Sequence, residues 1–131
     1  MSKLAILCVD DEVMVLDSLE IELKRAFNDA YLYEMAESAD EAMEIIEELQ
    51  EETISIIVIL SDWLMPGIKG DEFLIQIHEK YPKVIKIMLT GQADEAAIER
   101  AKTHANLHSC LRKPWNSQDL IETIKSGLAK L

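Results

Sequence analysis

The chain has 131 residues, 49% of them hydrophobic and 29% charged, which suits one folded domain and argues against both a disordered segment and two ordinary domains. Thirteen basic residues against 25 acidic ones leave a net charge of −12, the wrong sign for nonspecific binding to nucleic acid or to an anionic membrane surface. No apolar run approaches the roughly 18 residues that mark a bilayer span.

Surface scaling for one domain over residues 1–131 predicts about 7,000 Å² exposed after folding, with about two-thirds of the extended-chain surface buried. The first residues form too short an apolar stretch for a secretory signal. The two cysteines, Cys8 and Cys110, make no disulfide framework. A cytoplasmic location is expected.

In chain order, residues 4–9 are a short continuous apolar run and predict a buried strand. Leu16, Leu19, Leu23 and Phe27 then recur at helical spacing. Residues 31–35 are mixed and β-prone. Ser38, three residues before Glu41, signals a helix start, and Ala42, Ile46 and Leu49 form its apolar face. Residues 56–60 are a second apolar run, followed by a loop with Pro66, Gly67 and Gly70. Phe73, Leu74, Ile77 and Tyr81 predict a third helix. Residues 84–89 predict a strand with one interruption at Lys86. Ala93, Ala97 and Ala101 suit a slim fourth helix. Residues 107–111 are short and mixed. Leu120, Ile124, Leu128 and Leu131 close the chain as a helix capped by Asn116 or Ser117.

Five strand-then-helix repeats imply an α/β fold, a doubly wound parallel sheet with helices on both faces. Central parallel strands are buried on both faces and read as unbroken apolar runs. The first, third and fourth strands read that way, and the second and fifth do not. The order 2-1-3-4-5 with right-handed crossovers satisfies this, giving a five-stranded (βα)5, flavodoxin-like or CheY-like architecture. The site of such a sheet lies beyond the carboxyl ends of its strands, near the switch between strands 1 and 3.

Asp10, Asp11 and Glu12 stand at the end of the first strand, and Ser61 and Asp62 at the end of the third. Thr90 and Gly91 end the fourth, and Arg112, Lys113 and Pro114 the fifth. Gathered carboxylates repel one another unless a cation holds them, and hard oxygen donors with room for water suit Mg²⁺. Mg²⁺ favours phosphate as a further ligand. An ammonium and a hydroxyl at hand complete what phosphoryl transfer requires, with an Asp carboxylate able to act as nucleophile. Each residue alone has a plainer reading. Asp10 and Asp11 suit helix caps, Asp62 a turn, Thr90 a loop or cap, and Lys113 a solvated surface. Those readings would have to hold at every strand end together.

The pair Asp10-Asp11, the stretch Ser61-Asp62-Trp63-Leu64-Met65-Pro66-Gly67, the pair Thr90-Gly91 and Lys113-Pro114 together resemble a response regulator receiver domain over essentially the whole chain. The resemblance implies that Asp62 is the phosphoacceptor, taking a phosphoryl group from a sensor histidine kinase or phosphotransfer protein. It implies that Asp10, Asp11, Asp62 and the Leu64 backbone carbonyl hold Mg²⁺. Thr90 and Lys113 then engage the phosphoryl oxygens, and the Lys-Pro bond is cis. It further implies no turnover of a separate substrate, no direct contact with nucleic acid or membrane, and an output domain or downstream protein as partner. The surface that changes would span residues 94–105 with 107–131, where relatives commonly form homodimers.

Three positions individualise the chain. Cys110 stands where the family usually has an aromatic switch residue. Leu64 stands where many relatives are polar; shielding by Leu64 predicts slow self-dephosphorylation, while Gln92 is placed to orient water. Trp63 should pack beside the site and report Mg²⁺ and phosphoryl binding by fluorescence. Trp115 after Lys113-Pro114 resembles receivers attached to kinases, phosphatases or cyclic-nucleotide enzymes. His78, His104 and His108 are expected at the surface. Three rival readings have weaker support. A haloacid dehalogenase-type Mg²⁺ phosphohydrolase would carry Asp-x-Asp on its first strand, and a flavodoxin-like carrier would carry a hydroxyl-rich phosphate loop there. The third is a phosphate-independent binding module.

Overall fold

A computed structural model describes residues 3–91 and 95–131. Five parallel strands form one sheet in the order 2-1-3-4-5, as their polarity predicts. The elements follow as β1 (Lys3–Val9), α1 (Val13–Phe27), a 3₁₀ turn (Asn28–Ala30), β2 (Leu32–Ala36), α2 (Ala39–Glu51), β3 (Ile54–Asp62) and α3 (Gly70–Lys80). Then come β4 (Ile85–Thr90), α4 (Glu95–Ala105), β5 (Ser109–Arg112) and α5 (Ser117–Leu128). The sequence positions 92–94, including Gln92, Ala93 and Asp94, lie outside the described residues. The exposed surface is 7142 Å², close to the scaling expectation.

Strand side chains alternate between two cores, as the period of two requires. On one face, Leu7, Val9, Ile59 and Met88 pack with Ile46 of α2, Phe73 and Ile77 of α3, and Ala101 of α4. On the other, Ile6, Cys8, Val58, Leu60, Ile87 and Leu89 pack with Leu16, Leu19 and Leu23 of α1 and Leu120 and Ile124 of α5. Cys8 is fully buried, which pushes its thiol pKa far up and leaves it an inert core residue. β2 and β5 keep most residues half-exposed, as edge strands do.

The caps settle two open points. The Ser38 hydroxyl accepts from the Glu41 N–H at 3.1 Å, and Asn116, not Ser117, caps α5 by accepting from the Gln118 and Asp119 N–H groups. Tyr81 and Leu131, assigned to helices by spacing, lie past the ends of α3 and α5.

The predicted strand limits shift by at most two residues. The consequential shift is in β3, which continues through two polar residues to Asp62, paired in register with Leu89. Lys86 proves no interruption. It is buried in β4, and its ammonium donates back to the Val84 carbonyl at 2.7 Å. Burial lowers its pKa to about 8. His78 and His108 correct the surface expectation. Both are half-buried, and His108 Nε2 lies 3.2 Å from the Thr123 carbonyl. His104 is exposed as expected.

Gly70 opens α3 directly beneath the end of β3. A Cβ there would overlap the Asp62 carbonyl oxygen and stand 2.8 Å from the Trp63 Cα. Gly70→Ala is therefore expected to destabilise the fold by about 2–3 kcal/mol through overpacking, read as a lower urea midpoint at unchanged m-value.

Candidate functional site

Asp10 follows the last residue of β1 and is fully buried. Its N–H donates to the Ala36 carbonyl at the end of β2, 3.0 Å away, which fixes the backbone at the rim of the sheet. One carboxylate oxygen accepts from the Glu12 N–H at 2.8 Å, and the other from the Lys113 ammonium at 2.7 Å. The N-cap of α1 is Glu12, so the capping reading of Asp10 is set aside. Asp62 ends β3 at 5% exposure, and Lys113 Nζ lies 3.3 Å from it. Asp11 is exposed beside them.

Lys113 follows β5 directly and bridges the two buried carboxylates. Its N–H donates to the Thr90 carbonyl at 2.9 Å, tying the ends of β4 and β5 together. The Lys113–Pro114 peptide is cis, as the resemblance implies. Thr90 is buried at the end of β4. Leu64 lies two residues beyond Asp62 and is 48% exposed.

Carboxylate oxygens of Asp10, Asp11 and Asp62 lie within 4.8 Å of one another. Among the described residues, these three carboxylates against the Lys113 ammonium leave about two negative charges in a partly buried space. That excess and the hard oxygen donors fit a dication that keeps part of its water, as Mg²⁺ does. Burial and crowding both disfavour the charged form of Asp62. Burial pushes the Asp62 carboxyl up to about 6, Asp10 adds to this, the Lys113 charge opposes it, and Asp11 raises it slightly further. Burial also disfavours the Lys113 ammonium, but its bond to Asp10 and the charges of Asp10 and Asp62 outweigh burial and leave its pKa raised.

A raised carboxyl pKa in the folded state favours folding below the unfolded value near 3.8 and loses that contribution as pH rises through about 6. In chelator, the urea stability of the protein should therefore lose about 1–3 kcal/mol from Asp62 between pH 4 and pH 7. Asp62→Asn should remove that part of the slope, and millimolar Mg²⁺ should reduce it.

Trp63 packs beside the site as expected. Its N–H donates to the Leu89 carbonyl at 3.1 Å, and Lys69 Nζ stands 4.8 Å from the ring centroid. Its indole N–H also donates to Asp71 at 3.1 Å, and Asp71 pairs with Arg100 of α4. Spacing signalled none of this, because both residues read as ordinary polar positions on separate helices. Cys110 is half-buried among the side chains packed with Met88 and Ala101, and burial raises its thiol pKa. A thiol held protonated is poorly suited to redox chemistry. The Trp115 indole and the Ser117 hydroxyl both donate to Glu22 of α1.

Comparison with known proteins agrees with this geometry. The family model for the response regulator receiver domain matches residues 6–125. The hydrogenase transcriptional regulatory protein HoxA of Cupriavidus necator is 32% identical over 123 residues, covering 94% of this chain but 24% of that protein. Among solved structures, a CheY-like response regulator receiver domain protein from Methanospirillum hungatei is 32% identical with a TM-score of 0.83, covering 98% of this chain and 96% of the other. The signal receiver domain of an HD domain-containing protein from Pseudomonas fluorescens reaches a TM-score of 0.86 at 26% identity, with coverage of 98% and 96%. The fold, the strand-end residues and the family match agree: this chain belongs to the response regulator receiver domain family of two-component signalling.

Proposed function

We propose that the chain, acting as a single receiver domain over residues 1–131, accepts a phosphoryl group on Asp62 in a Mg²⁺-dependent reaction. The donor is a phosphohistidine of a sensor kinase or phosphotransfer protein. The observation that carries this reading is the Lys113 ammonium placed 2.7 Å from Asp10 and 3.3 Å from Asp62, with the Asp11 carboxylate close to both acids. One Asp62 oxygen attacks phosphorus, the donor's N–P bond breaks, and the imidazole leaves and takes a proton from solvent. Asp10, Asp11, Asp62 and the Leu64 carbonyl are the proposed metal ligands. A cation held there would supply charge neutralisation and orientation for the phosphoryl group.

Lys113 then exchanges its Asp62 contact for a phosphoryl oxygen, and the Thr90 hydroxyl donates to another. Each bond strengthens only as the new oxygens arrive, so the added charge of nearly −2 biases the loops at the ends of β4 and β5. The output surface is α4, β5 and α5, and it meets an output domain, a downstream protein or a second copy. The two free cysteines of the chain fit action in the reducing cytoplasm. No turnover of a separate substrate is part of this role.

Amide shifts measured with Mg²⁺ and beryllofluoride, a mimic of the phosphoryl group, test the reading. Changes at Asp62, Thr90 and Lys113 that extend into α4 and β5 are expected, with a change in Trp63 fluorescence. Silence at all of them would favour a phosphate-independent binding module.

A further inference from the structure

The family's usual aromatic at position 110 is absent, yet the structure offers another physical connection from Asp62 to α4. Trp63 is joined to Asp62 by one peptide bond. Its backbone is held on both sides, with its N–H on the Leu89 carbonyl at 3.1 Å and its carbonyl accepting from Gly70 N–H at 2.7 Å. Its indole N–H reaches across the first turn of α3 to Asp71 Oδ1 at 3.1 Å. Asp71 is 7% exposed. The other Asp71 oxygen accepts from Arg100 Nη1 at 3.1 Å, and Arg100 Nη2 donates to Glu72 at 2.6 Å. Arg100 lies near the middle of α4, so one guanidinium fork ties that helix to two consecutive acids at the start of α3.

We propose that Trp63, Asp71 and Arg100 form a relay that couples the state of Asp62 to the position of α4, with Arg100 as the clamp. This deepens the phosphoacceptor reading and rests on it. The indole has one donor, and its orientation follows the backbone at the end of β3. A shift of the Asp62–Trp63 backbone on phosphorylation moves that donor relative to Asp71. Asp71 can follow the indole or keep Arg100, because its two oxygens serve the two partners separately. Displacement of α4 likewise requires the fork on Asp71 and Glu72 to move with it or to open. A planar fork on two acids has discrete partners, which makes the contact a better two-position element than a single flexible ammonium would be. Cys110 brings no ring to the same region, so among the described residues the relay offers a polar route between the site and this helix.

The test uses Arg100→Met, which keeps a long side chain at a half-exposed position, and Trp63→Phe, which keeps a ring and removes the indole donor. Phosphoryl gain with Mg²⁺ and acetyl phosphate is read first by intact mass, and amide shifts of residues 95–105 are then compared with and without beryllofluoride. Both variants should still gain one phosphoryl group. Their α4 shift changes should fall by about two-fold or more relative to the parent. In Arg100→Met the Trp63 indole resonance should also respond differently to beryllofluoride, a readout that a merely structural Arg100 would not move. Arg100→Lys should restore the response only partly, since an ammonium cannot fork. Undiminished α4 shifts in both variants, with phosphoryl gain intact, would overturn the relay alone. A parent that gains no phosphoryl group would overturn it together with the function on which it rests.

Discussion

Lys113→Met is expected to cost about 2–4 kcal/mol of folding stability at pH 7 in chelator. The argument rests on what the ammonium compensates. Asp10 is fully buried and Asp62 nearly so, and Lys113 is the basic group that meets both. Removing it leaves two buried carboxylates without their ammonium partner, while the Glu12 N–H still donates to Asp10. An uncompensated buried charge is much more costly than a lost surface pair. Two conditions should shrink the loss. As pH falls below about 6 the Asp62 carboxylate protonates, and in millimolar Mg²⁺ the dication takes over the neutralising role. A urea series at pH 7 with and without Mg²⁺ checks this. An equal loss in both would mean that Lys113 acts through packing and not through charge.

Asp11→Ala is expected to separate chemistry from stability. Asp11 is exposed, so its removal should leave the urea midpoint within about 0.5 kcal/mol of the parent. The same change removes one of the three carboxylates gathered within 4.8 Å. Phosphoryl gain from acetyl phosphate at fixed Mg²⁺ should slow by about 100-fold, the scale of losing one element of transition-state charge stabilisation. An unchanged rate would remove Asp11 from the site. Together the two variants divide the cluster by burial. On the proposed reading, the buried acids and Lys113 should bear on folding as well as chemistry, and the exposed acid on chemistry alone.

The sheet order was legible because burial writes itself into strand composition. The runs at 4–9 and 56–60 are apolar on both faces, while β2 and β5 carry mixed polar and apolar residues, as half-exposed edge strands do. Strand ends were less legible. Ser61 and Asp62 look like loop residues, yet the ladder with β4 continues through both, since backbone pairing does not depend on apolar side chains. Lys86 misled for a related reason. A long stem lets its charge reach the Val84 carbonyl while its carbons fill the core.

The strand-end acids and Lys113 were legible because topology alone brings them together. The Lys113–Asp10 pair spans 103 residues, and only the predicted strand order makes them neighbours. The Asp71–Arg100 pair spans 29 residues across two helix surfaces. No periodicity encodes which polar residue of one helix meets which of the next, so the tie between the site and α4 became visible only in three dimensions. Glu22 holding Trp115 is the same kind of contact, made between α1 and the residues that precede α5.

Acceptance of a phosphoryl group by Asp62 is the central claim, and intact mass tests it most directly. The protein and Asp62→Asn would be incubated side by side with Mg²⁺ and acetyl phosphate and measured at once. The account predicts a gain of one phosphoryl group by the parent, none by Asp62→Asn, and none by either in chelator. No gain by the parent, or an equal gain by Asp62→Asn, would contradict it.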